Sequence, residues 1–316
     1  MSIKRFIGTV LTLSLAGCAT VQQSDFERMQ AEADKVPDTQ GTGPYPALTE
    51  LDPNLEGYVV YRPRDLSPFR EGTLGVFVWG NGACAADATS ARQQLAEIAS
   101  HGYLAIAPGQ WRSGPNAKSP RPASGTGNGP FATETTATDL AYALDWAISE
   151  NGRAGSRYVG MIDPNAIALG GYSCGGVQAL RLADDPRIDT LVIQNSGIFI
   201  EKPPGEPGGE MDMSKDQLAA IHTPVLYLLG GPSDIAYANG TDDFAKIAKA
   251  PAMLVNIPTG HGGTYNDANG GKGAAIVVDW LQWHLRGDSA AKADFACPDG
   301  KWCRDPDVTI ERKNGL

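Results

Sequence analysis

Apolar and polar positions follow each other along this chain in short segments that predict alternating strands and helices. Continuous apolar runs that end at glycine, at 73–80 and 103–109, are typical of strands buried on both faces of a sheet. The segment between them, 90–102, has apolar residues at helical spacing and also ends at glycine. These three segments therefore predict a β–α–β unit.

The same alternation continues to about residue 290. Further strands are predicted at 56–63, 165–171, 189–197, 222–231 and 252–260, and further helices at 138–149, 176–184, 242–250 and 273–287. Such alternation is typical of a mostly parallel central sheet flanked by helices. No internal repeat or domain break interrupts 46–290, so the pattern predicts a single α/β domain. Its long polar loop, 110–129, has a length that is usually functional or mobile.

The chain outside this domain is predicted to form three segments. Residues 1–17 have two basic residues and then an apolar run that is too short to span a bilayer, as in a signal peptide. Residues 18–45 are polar and then rich in Pro and Gly, which predicts a flexible tether. Residues 291–316 are predicted to be a C-terminal tail.

The end of the predicted signal peptide, "LAGC", resembles the lipobox of bacterial lipoproteins. The resemblance implies cleavage before Cys18 and a lipid on its sulfur. The alternative is an ordinary signal peptide followed by a chance cysteine. Because Ala19 and not Asp follows Cys18, the resemblance favours the outer membrane. We therefore expect an exported protein that is held at the membrane through its N-terminal lipid alone.

Composition adds limits on the class of protein and its partners. The 316 residues are 42% hydrophobic, which is enough for a sizeable core. The net charge of −10 repels phosphate backbones, so nucleic acid is not an expected partner. Besides Cys18 there are four cysteines, an even number for an oxidising compartment, and none lies in a C-x-x-C or Cys/His cluster. We therefore expect no metal site.

The segment "GGYSCGG", at 170–176, has the pattern G-x-S-x-G around Ser173. It follows a predicted strand and precedes a predicted helix, which is the context that a nucleophile elbow requires. Glycines allow such a sharp turn because they have no Cβ, so neighbouring backbone can approach. The motif predicts that Ser173 is a nucleophile, with a glycine-rich β–α turn as the alternative.

A serine nucleophile needs a base, and the chain has only four histidines. His101 lies at a helix end, His222 opens a strand, and His284 lies in the apolar C-terminal helix. His261 alone follows a strand late in the chain, in the glycine-flanked loop "TGHGG". His261 is therefore the predicted base.

The acid that orients the base is expected between the serine and the histidine in the sequence. Asp234 lies in "GGPSD", directly after the strand predicted at 222–231. Asp242 and Asp243 are expected to begin the next helix, where acidic residues complement its dipole. The acidic residues Glu201, Glu210 and Asp212 belong to a Pro/Gly-rich excursion. Asp234 is the predicted acid, and the order serine, aspartate, histidine is that of α/β-hydrolases.

Over roughly 56–290 the chain resembles α/β-hydrolases of the dienelactone-hydrolase-like and cutinase-like polyesterase branch, which includes bacterial PET hydrolases. The resemblance rests on the oxyanion strand, helix and next strand ("GVFVWGNGACAADATSARQQLAEIASHGYLAIAPG"), the elbow "GGYSCGG", the acid loop "PVLYLLGGPSD" and the histidine loop "NIPTGHGG". Two departures are "WGNGAC", in place of the aromatic-bearing turn of PET hydrolases, and an insert around 200–216. The first puts specificity for aromatic polymers in doubt, and the second is expected to shape a different cleft.

The resemblance also implies where an oxyanion would be bound. The family places the first donor just after strand 73–80, which here is the backbone of Asn81, Gly82 or Ala83, and the second is the N–H of Cys174. Trp111, on the long loop, and Asn195, at a strand end, are candidate substrate-binding residues, with ordinary loop packing as the alternative for Trp111.

Two disulfides are expected among the four remaining cysteines. Cys297 and Cys303 bound a short Pro/Gly-containing loop, "CPDGKWC". In the fold that the resemblance implies, the segments of Cys84 and Cys174 border the same oxyanion site, so these two cysteines are expected to pair. The alternative is a pair of buried free thiols.

Together these features predict an exported serine carboxylic-ester hydrolase that needs no metal or organic cofactor. Its substrate is expected to be a short or medium acyl ester, or a polyester. A serine peptidase or amidase on the same fold and a non-catalytic binding lipoprotein remain the alternatives. The oligomeric state is left open.

Overall fold

A computed structural model of the protein describes residues 28, 30–121, 133–201 and 209–316. Its strands form one nine-stranded sheet in the order β1-β2-β4-β3-β5-β6-β7-β8-β9. The strands are β1 (Ala47–Glu50), β2 (Tyr58–Pro63), β3 (Leu74–Gly80), β4 (Tyr103–Pro108), β5 (Ile162–Tyr172), β6 (Thr190–Gln194), β7 (Val225–Leu229), β8 (Ala252–Asn256) and β9 (Thr309–Lys313).

The sheet is mostly parallel. Strands β4, β3, β5, β6, β7 and β8 pair in parallel, whereas β1 and β2 on one side and β9 on the other pair antiparallel. In the described ranges the helices that accompany it include α1 (Arg92–Ser100), α2 (Ala137–Gly152), α3 (Cys174–Arg181), α4 (Tyr237–Lys246), α5 (Gly271–Arg286), α6 (Ser289–Asp294) and α7 (Lys301–Arg304). This mixed α/β architecture, with a mostly parallel sheet flanked by helices, confirms the prediction at that level.

The core has two layers, one on each face of the sheet. Side chains alternate between them along each strand, so that in β3 Val76 and Val78 face the layer under α2, α3 and α4. Phe77 and Trp79 face the layer under α1 and α5. Burial on both faces explains why the central strands are continuous apolar runs in the sequence.

The predicted helix 242–250 differs from the structure at its start. Helix α4 begins at Tyr237, so Asp242 and Asp243 lie in its C-terminal half and the prediction that they begin the helix is wrong. Asp243 is fully buried and accepts hydrogen bonds from the Ile198 backbone N–H (2.8 Å) and from Lys215 (2.6 Å). These partners come from segments distant in the sequence, and the local pattern does not show them.

Residues 33–45, here called the N-terminal strap, lie against the domain. Asp34 forms an ion pair with Arg121 (2.6 Å), and Asp38 forms one with Arg92 (2.8 Å), whose side chain is buried. The Tyr45 backbone N–H donates to the Ser100 carbonyl (3.0 Å). The composition of 18–45 predicted a flexible tether, but residues 33–45 are bound to the domain through these polar contacts. Cys18 and the predicted signal peptide, 1–17, lie outside the described residues.

Residues 291–316, predicted as a tail, are folded onto the edge of the sheet. Strand β9 pairs antiparallel with β8, and the side chains of Phe295 and Trp302 are buried. The disulfide between Cys297 and Cys303 is present, as predicted, with a Cα–Cα distance of 5.3 Å. The domain therefore continues to the end of the chain. Within the described ranges, no helix is both long and apolar enough to cross a membrane.

Candidate active site

Ser173 lies between the end of β5 and the start of α3, with φ 53° and ψ −119°. Positive φ is uncommon for a residue with a side chain and is maintained only where the surroundings fix it. Here the Ser173 N–H donates to the Gln194 carbonyl (3.1 Å), and the Ser173 carbonyl accepts from the Ser196 hydroxyl (2.6 Å). The turn therefore has the geometry predicted for a nucleophile elbow, and the half-buried serine lies at the carboxyl end of a parallel strand.

The glycines of the elbow are required by close backbone contacts. A Cβ on Gly175 would lie 2.0 Å from the carbonyl carbon and oxygen of Gly80, at the end of β3. A Cβ on Gly171 would lie 2.2 Å from the Gly175 carbonyl oxygen. Only residues without a Cβ allow β3, β5 and the first turn of α3 to approach this closely.

His261 lies next to Ser173 and Asp234. Its Nε2 is 3.1 Å from the Ser173 Oγ, and its Nδ1 is 2.6 Å from the Asp234 Oδ1. The Tyr172 hydroxyl donates to the His261 carbonyl (2.9 Å), and the two rings lie against each other with centroids 5.2 Å apart. The structure therefore brings the predicted nucleophile, base and acid into one hydrogen-bonded chain.

Asp234 is buried and receives four N–H donors. Its Oδ1 accepts from His261 and from the Ala236 backbone (2.9 Å), and its Oδ2 accepts from the Gly230 backbone (3.0 Å) and the Asn195 amide (2.8 Å). Burial by itself raises the pKa of Asp234, but these hydrogen bonds outweigh it and hold the pKa below its ordinary value. The carboxylate is therefore ionised and fixed in orientation.

The other three histidines have partners away from this site. His101 lies 3.1 Å from the Glu97 carboxylate, and His222 lies 3.0 Å from the Ala183 carbonyl. His284 is packed against Trp280, with ring centroids 4.0 Å apart, and burial lowers its pKa to about 4. Their positions agree with the elimination that singled out His261.

The segment after β3 is joined to the elbow by the disulfide Cys84–Cys174, which was predicted. The two Cα atoms are 5.3 Å apart, and the cysteines are 90 residues apart in the sequence. Ala83 and Cys84 both have positive φ, 56° and 48°. The backbone N–H of Cys174 begins α3, where the first N–H groups have no acceptor within the helix. This places one free donor directly beside Ser173.

The side chain of Asn81 shapes the same segment. Its Nδ2 donates to the carbonyls of Ala85 (2.9 Å) and Pro108 (2.7 Å), which fixes the turn after β3 to the end of β4. Gly82 packs on the Tyr172 ring, where a Cβ would lie 2.3 Å from the ring carbon Cδ1. The backbone of Asn81 and Gly82 therefore lies beside the elbow.

The two predicted substrate-binding residues have other positions. Trp111 is only 7% exposed within the core layer under α1 and α5, and Lys118 covers its ring at 4.4 Å, so the alternative of loop packing describes it better. Asn195 is 3% exposed and binds Asp234 instead of facing a cleft. Its backbone has φ 43°, which turns the side chain inward after β6. That orientation cannot be inferred from position at a strand end.

Tyr172 and Tyr265 contact the site but were not singled out in the sequence. Tyr172 is the variable residue before the serine in G-x-S-x-G, and Tyr265 follows His261 by four positions. Their rings pack together with centroids 4.6 Å apart. Proximity to the motifs was the only signal available, because aromatic residues at such positions are more often part of the core.

In the parts of the chain that the structure describes, no group of three or more His, Cys, Asp or Glu side chains is placed to hold a metal ion. No protein-family model matches the chain, and a search of curated proteins finds no match to it.

Proposed function

We propose that this protein is an exported serine carboxylic-ester hydrolase with the α/β-hydrolase fold. The observation that carries the proposal is the hydrogen-bonded chain from Ser173 through His261 to Asp234, with the serine at positive φ on a strand–turn–helix junction. The four-donor environment of Asp234 keeps it ionised beside the imidazole, as the third member of such a chain requires.

The mechanism begins with proton transfer from the Ser173 hydroxyl to His261 Nε2 as Oγ attacks the ester carbonyl carbon. The carbonyl electron pair moves to the oxygen, and the resulting oxyanion accepts hydrogen bonds from backbone N–H groups. The candidate donors are the N–H of Cys174 and an N–H of the segment at 81–83. When the tetrahedral intermediate collapses, the alcohol leaves with the proton from His261, and the acyl group stays on Ser173.

Water completes the cycle. It gives one proton to His261 Nε2 as its oxygen attacks the acyl carbon, and a second tetrahedral intermediate forms at the same oxyanion site. Collapse releases the carboxylic acid and returns the proton to Ser173. The cycle consumes one water and requires no cofactor.

The proposed substrates are short or medium acyl esters, or polyesters. The basis is the sequence between β4 and α2, where the 110–129 loop is polar and offers no extended apolar segment for contact with a lipid interface. The resemblance to dienelactone-hydrolase-like and cutinase-like polyesterases supports the same choice. We expect faster turnover of p-nitrophenyl butyrate than of long-chain triglyceride emulsions, and the reverse order would contradict this substrate class.

Export is supported by the two disulfides, which form in oxidising compartments. Lipid on Cys18 and location in the outer membrane are proposed from the resemblance of "LAGC" to a lipobox. We expect Cys18→Ser in the full-length chain to release the enzyme from the membrane fraction without changing its specific activity. Membrane retention of this variant would contradict the lipid anchor.

The decisive test of the activity is Ser173→Ala, assayed on p-nitrophenyl esters and on the matching anilides. We expect a loss in kcat of about 10⁴–10⁶ on esters and a complete loss of labelling by a fluorophosphonate. Ser149→Ala, at an exposed position on α2, serves as the control and should keep the wild-type ester hydrolysis and the fluorophosphonate labelling. Faster hydrolysis of anilides than of esters would favour the peptidase or amidase, and an unlabelled wild type would favour a binding protein.

A further inference from the structure

Asn195 links the acid loop and the histidine loop through one buried amide. Its Nδ2 donates to the Asp234 Oδ2 (2.8 Å) and to the carbonyl of Gly260 (3.1 Å), the residue before His261. Its Oδ1 accepts from the Tyr265 hydroxyl (2.6 Å). Because the two Nδ2 partners are acceptors and the Oδ1 partner is a donor, the network defines the orientation of the amide.

The backbone at Asn195 is also specialised for this contact. Its φ of 43° is left-handed, a conformation that asparagine tolerates better than most residues with a side chain. Its N–H donates to the Leu228 carbonyl (2.8 Å), which continues the pairing of β6 with β7 by one residue. The conformation therefore points the amide toward Asp234 from a rigid strand end.

Tyr265 completes the arrangement from the other side. Its side chain is 5% exposed, and burial raises the pKa of its hydroxyl well above the ordinary value, so it stays a donor. Without this O–H, the Asn195 Oδ1 would be a buried acceptor without a partner, and the amide would lose one of its three restraints.

We infer that Asn195 and Tyr265 are positioning residues of the active site. They set the orientation of the Asp234 carboxylate and its alignment with the imidazole of His261. The inference rests on the proposed function. Of the two oxygens of Asp234, Asn195 binds Oδ2, which leaves Oδ1 directed at the His261 Nδ1. Tyr265 acts through Asn195 and touches no reacting atom.

The first variant is Asn195→Gly, since glycine adopts positive φ without steric strain and the change removes the side chain with its amide. Loss of a hydrogen bond to an ionised partner predicts a fall in kcat of about 10–100-fold with KM changed less than twofold. The matched control is Asn151→Gly, which removes a side chain that bonds the Ile162 N–H (2.9 Å) and carbonyl (3.0 Å) far from the site. The control should keep the wild-type kcat.

The second variant tests whether Tyr265 acts through Asn195. Tyr265→Phe alone should lower kcat by about 2–10-fold, and combined with Asn195→Gly it should add nothing further. Independent, additive losses would contradict an action through Asn195.

A third variant, Asn195→Asp, gives a pH signature that lost stability would not give. When protonated, the introduced carboxyl can donate its O–H to the Asp234 Oδ2 as the amide does, and when ionised it repels Asp234. The titratable groups around it are Asp234, His261, Tyr172 and Tyr265. The activity of this variant relative to wild type should therefore decrease as the pH rises. A ratio that is constant with pH would contradict the positioning role.

One readout does not depend on turnover. The proton on His261 Nδ1, in its 2.6 Å bond to Asp234, should give a far-downfield proton NMR signal in the wild type. The signal should disappear or shift in Asn195→Gly and remain in Asn151→Gly. If the wild type hydrolyses no ester, the proposed function fails, but this comparison still tests the positioning. An unchanged signal together with an unchanged kcat in Asn195→Gly would overturn the inference.

Discussion

At the scale of the residue, the site depends on conformations that most side chains avoid. Ser173, Ala83, Cys84 and Asn195 all have positive φ and all border the elbow or the acid. Each such residue costs about 1–3 kcal/mol, so the surrounding bonds must hold it in place. Their clustering at the ends of β3, β5 and β6 marks this edge of the sheet as the specialised part of the molecule.

Gly175 allows a direct test of the close approach at the elbow. Gly175→Ala should destabilise the fold by about 1–3 kcal/mol, because its Cβ would lie 2.0 Å from the Gly80 carbonyl. The shift of the adjacent Cys174 N–H should also lower kcat by about 10²–10³. Urea unfolding and ester hydrolysis measure the two effects.

The control is Gly152→Ala, at the end of α2, where a Cβ would meet no atom within 4 Å. This change should be neutral, or stabilising by up to about 1 kcal/mol, with activity unchanged. Equal effects of the two variants would mean that the contact with Gly80 is not the cause.

At the same scale, the sequence predicted which three side chains meet better than it predicted the residues around them. Ser173, Asp234 and His261 could be selected because each follows an apolar run that is recognisable as a strand. Asn195 follows such a run too, but its direction depends on a φ of 43° that no pattern encodes. For Trp111 the sequence left both substrate binding and loop packing open, since a loop position gives no indication of whether the ring turns into the core.

At the scale of the element, the segment after β3 is bound to neighbours on both sides. The Cys84 carbonyl accepts from the backbone N–H groups of Glu134 and Thr135 (2.9 Å each), and its sulfur is bonded to Cys174. The buried Gln178, on α3, donates to the Thr135 carbonyl (2.6 Å). The disulfide is therefore part of a wider set of contacts that fixes this segment to the elbow.

Removing that disulfide should reduce both stability and activity. For Cys84→Ala/Cys174→Ala the 90-residue separation predicts a loss of about 4–5 kcal/mol in the chain-entropy model, and a looser arrangement of the proposed oxyanion donors predicts a lower kcat. Cys297→Ala/Cys303→Ala is the matched control, with a separation of six residues and an expected loss of about 2 kcal/mol. Equal kcat losses in both pairs, measured where each variant is folded, would contradict a role in the oxyanion site.

Helix α5 gives a prediction of pH dependence. The pKa of His284 falls from 6.5 to about 4 because the ring is buried, with the rings of Trp280 and Trp283 packed against it at centroid distances of 4.0 and 4.3 Å. Below pH 6.5 His284 binds a proton in the unfolded chain, whereas in the folded protein it binds one only near pH 4. The free energy of unfolding therefore decreases as the pH falls over this range. The contribution is at most ~3 kcal/mol.

His284→Leu should remove this part of the pH dependence of the free energy of unfolding. The exposed His222, changed to Asn, is the control and should leave the dependence intact. Identical slopes between pH 6.5 and 4 in wild type and His284→Leu would show that this histidine is not the source.

At the scale of the whole molecule, both ends of the domain are closed by segments that the sequence pattern did not assign. Strands β1 and β9 are short and only partly buried, so their alternation is weak beside that of the central strands. The N-terminal strap binds through two ion pairs whose partners are far apart in the sequence. Asp38 and Arg92 are separated by 54 positions, and Asp34 and Arg121 by 87. Such pairs depend on tertiary approach and cannot be inferred from local periodicity, whereas the central sheet follows from it.

The N-terminal strap is expected to stabilise the domain. A chain that begins at residue 46 loses Asp38, and the buried Arg92 then lacks its charged partner. Compared with a chain that begins at residue 28, we expect a loss of about 3–5 kcal/mol in urea unfolding. Within the longer chain, Asp38→Asn should reproduce part of the loss. Glu32→Gln, which breaks an exposed pair with Lys35, should cost less than about 0.5 kcal/mol, and equal losses would argue against the buried pair.

The disulfide between Cys84 and Cys174 also determines how the protein behaves when its chain is cut. Any single peptide bond broken between residues 85 and 173 divides the polypeptide into two fragments that remain covalently joined. A protease that nicks this interval should therefore leave one band on a non-reducing gel and two after reduction. When the cut falls between β4 and β5, at residues 109–161, the nicked form keeps Ser173, Asp234 and His261 on a single fragment, together with β5 to β9. Its other fragment then supplies β1 to β4, so the protein can be studied as a two-chain molecule whose halves separate only on reduction and unfolding.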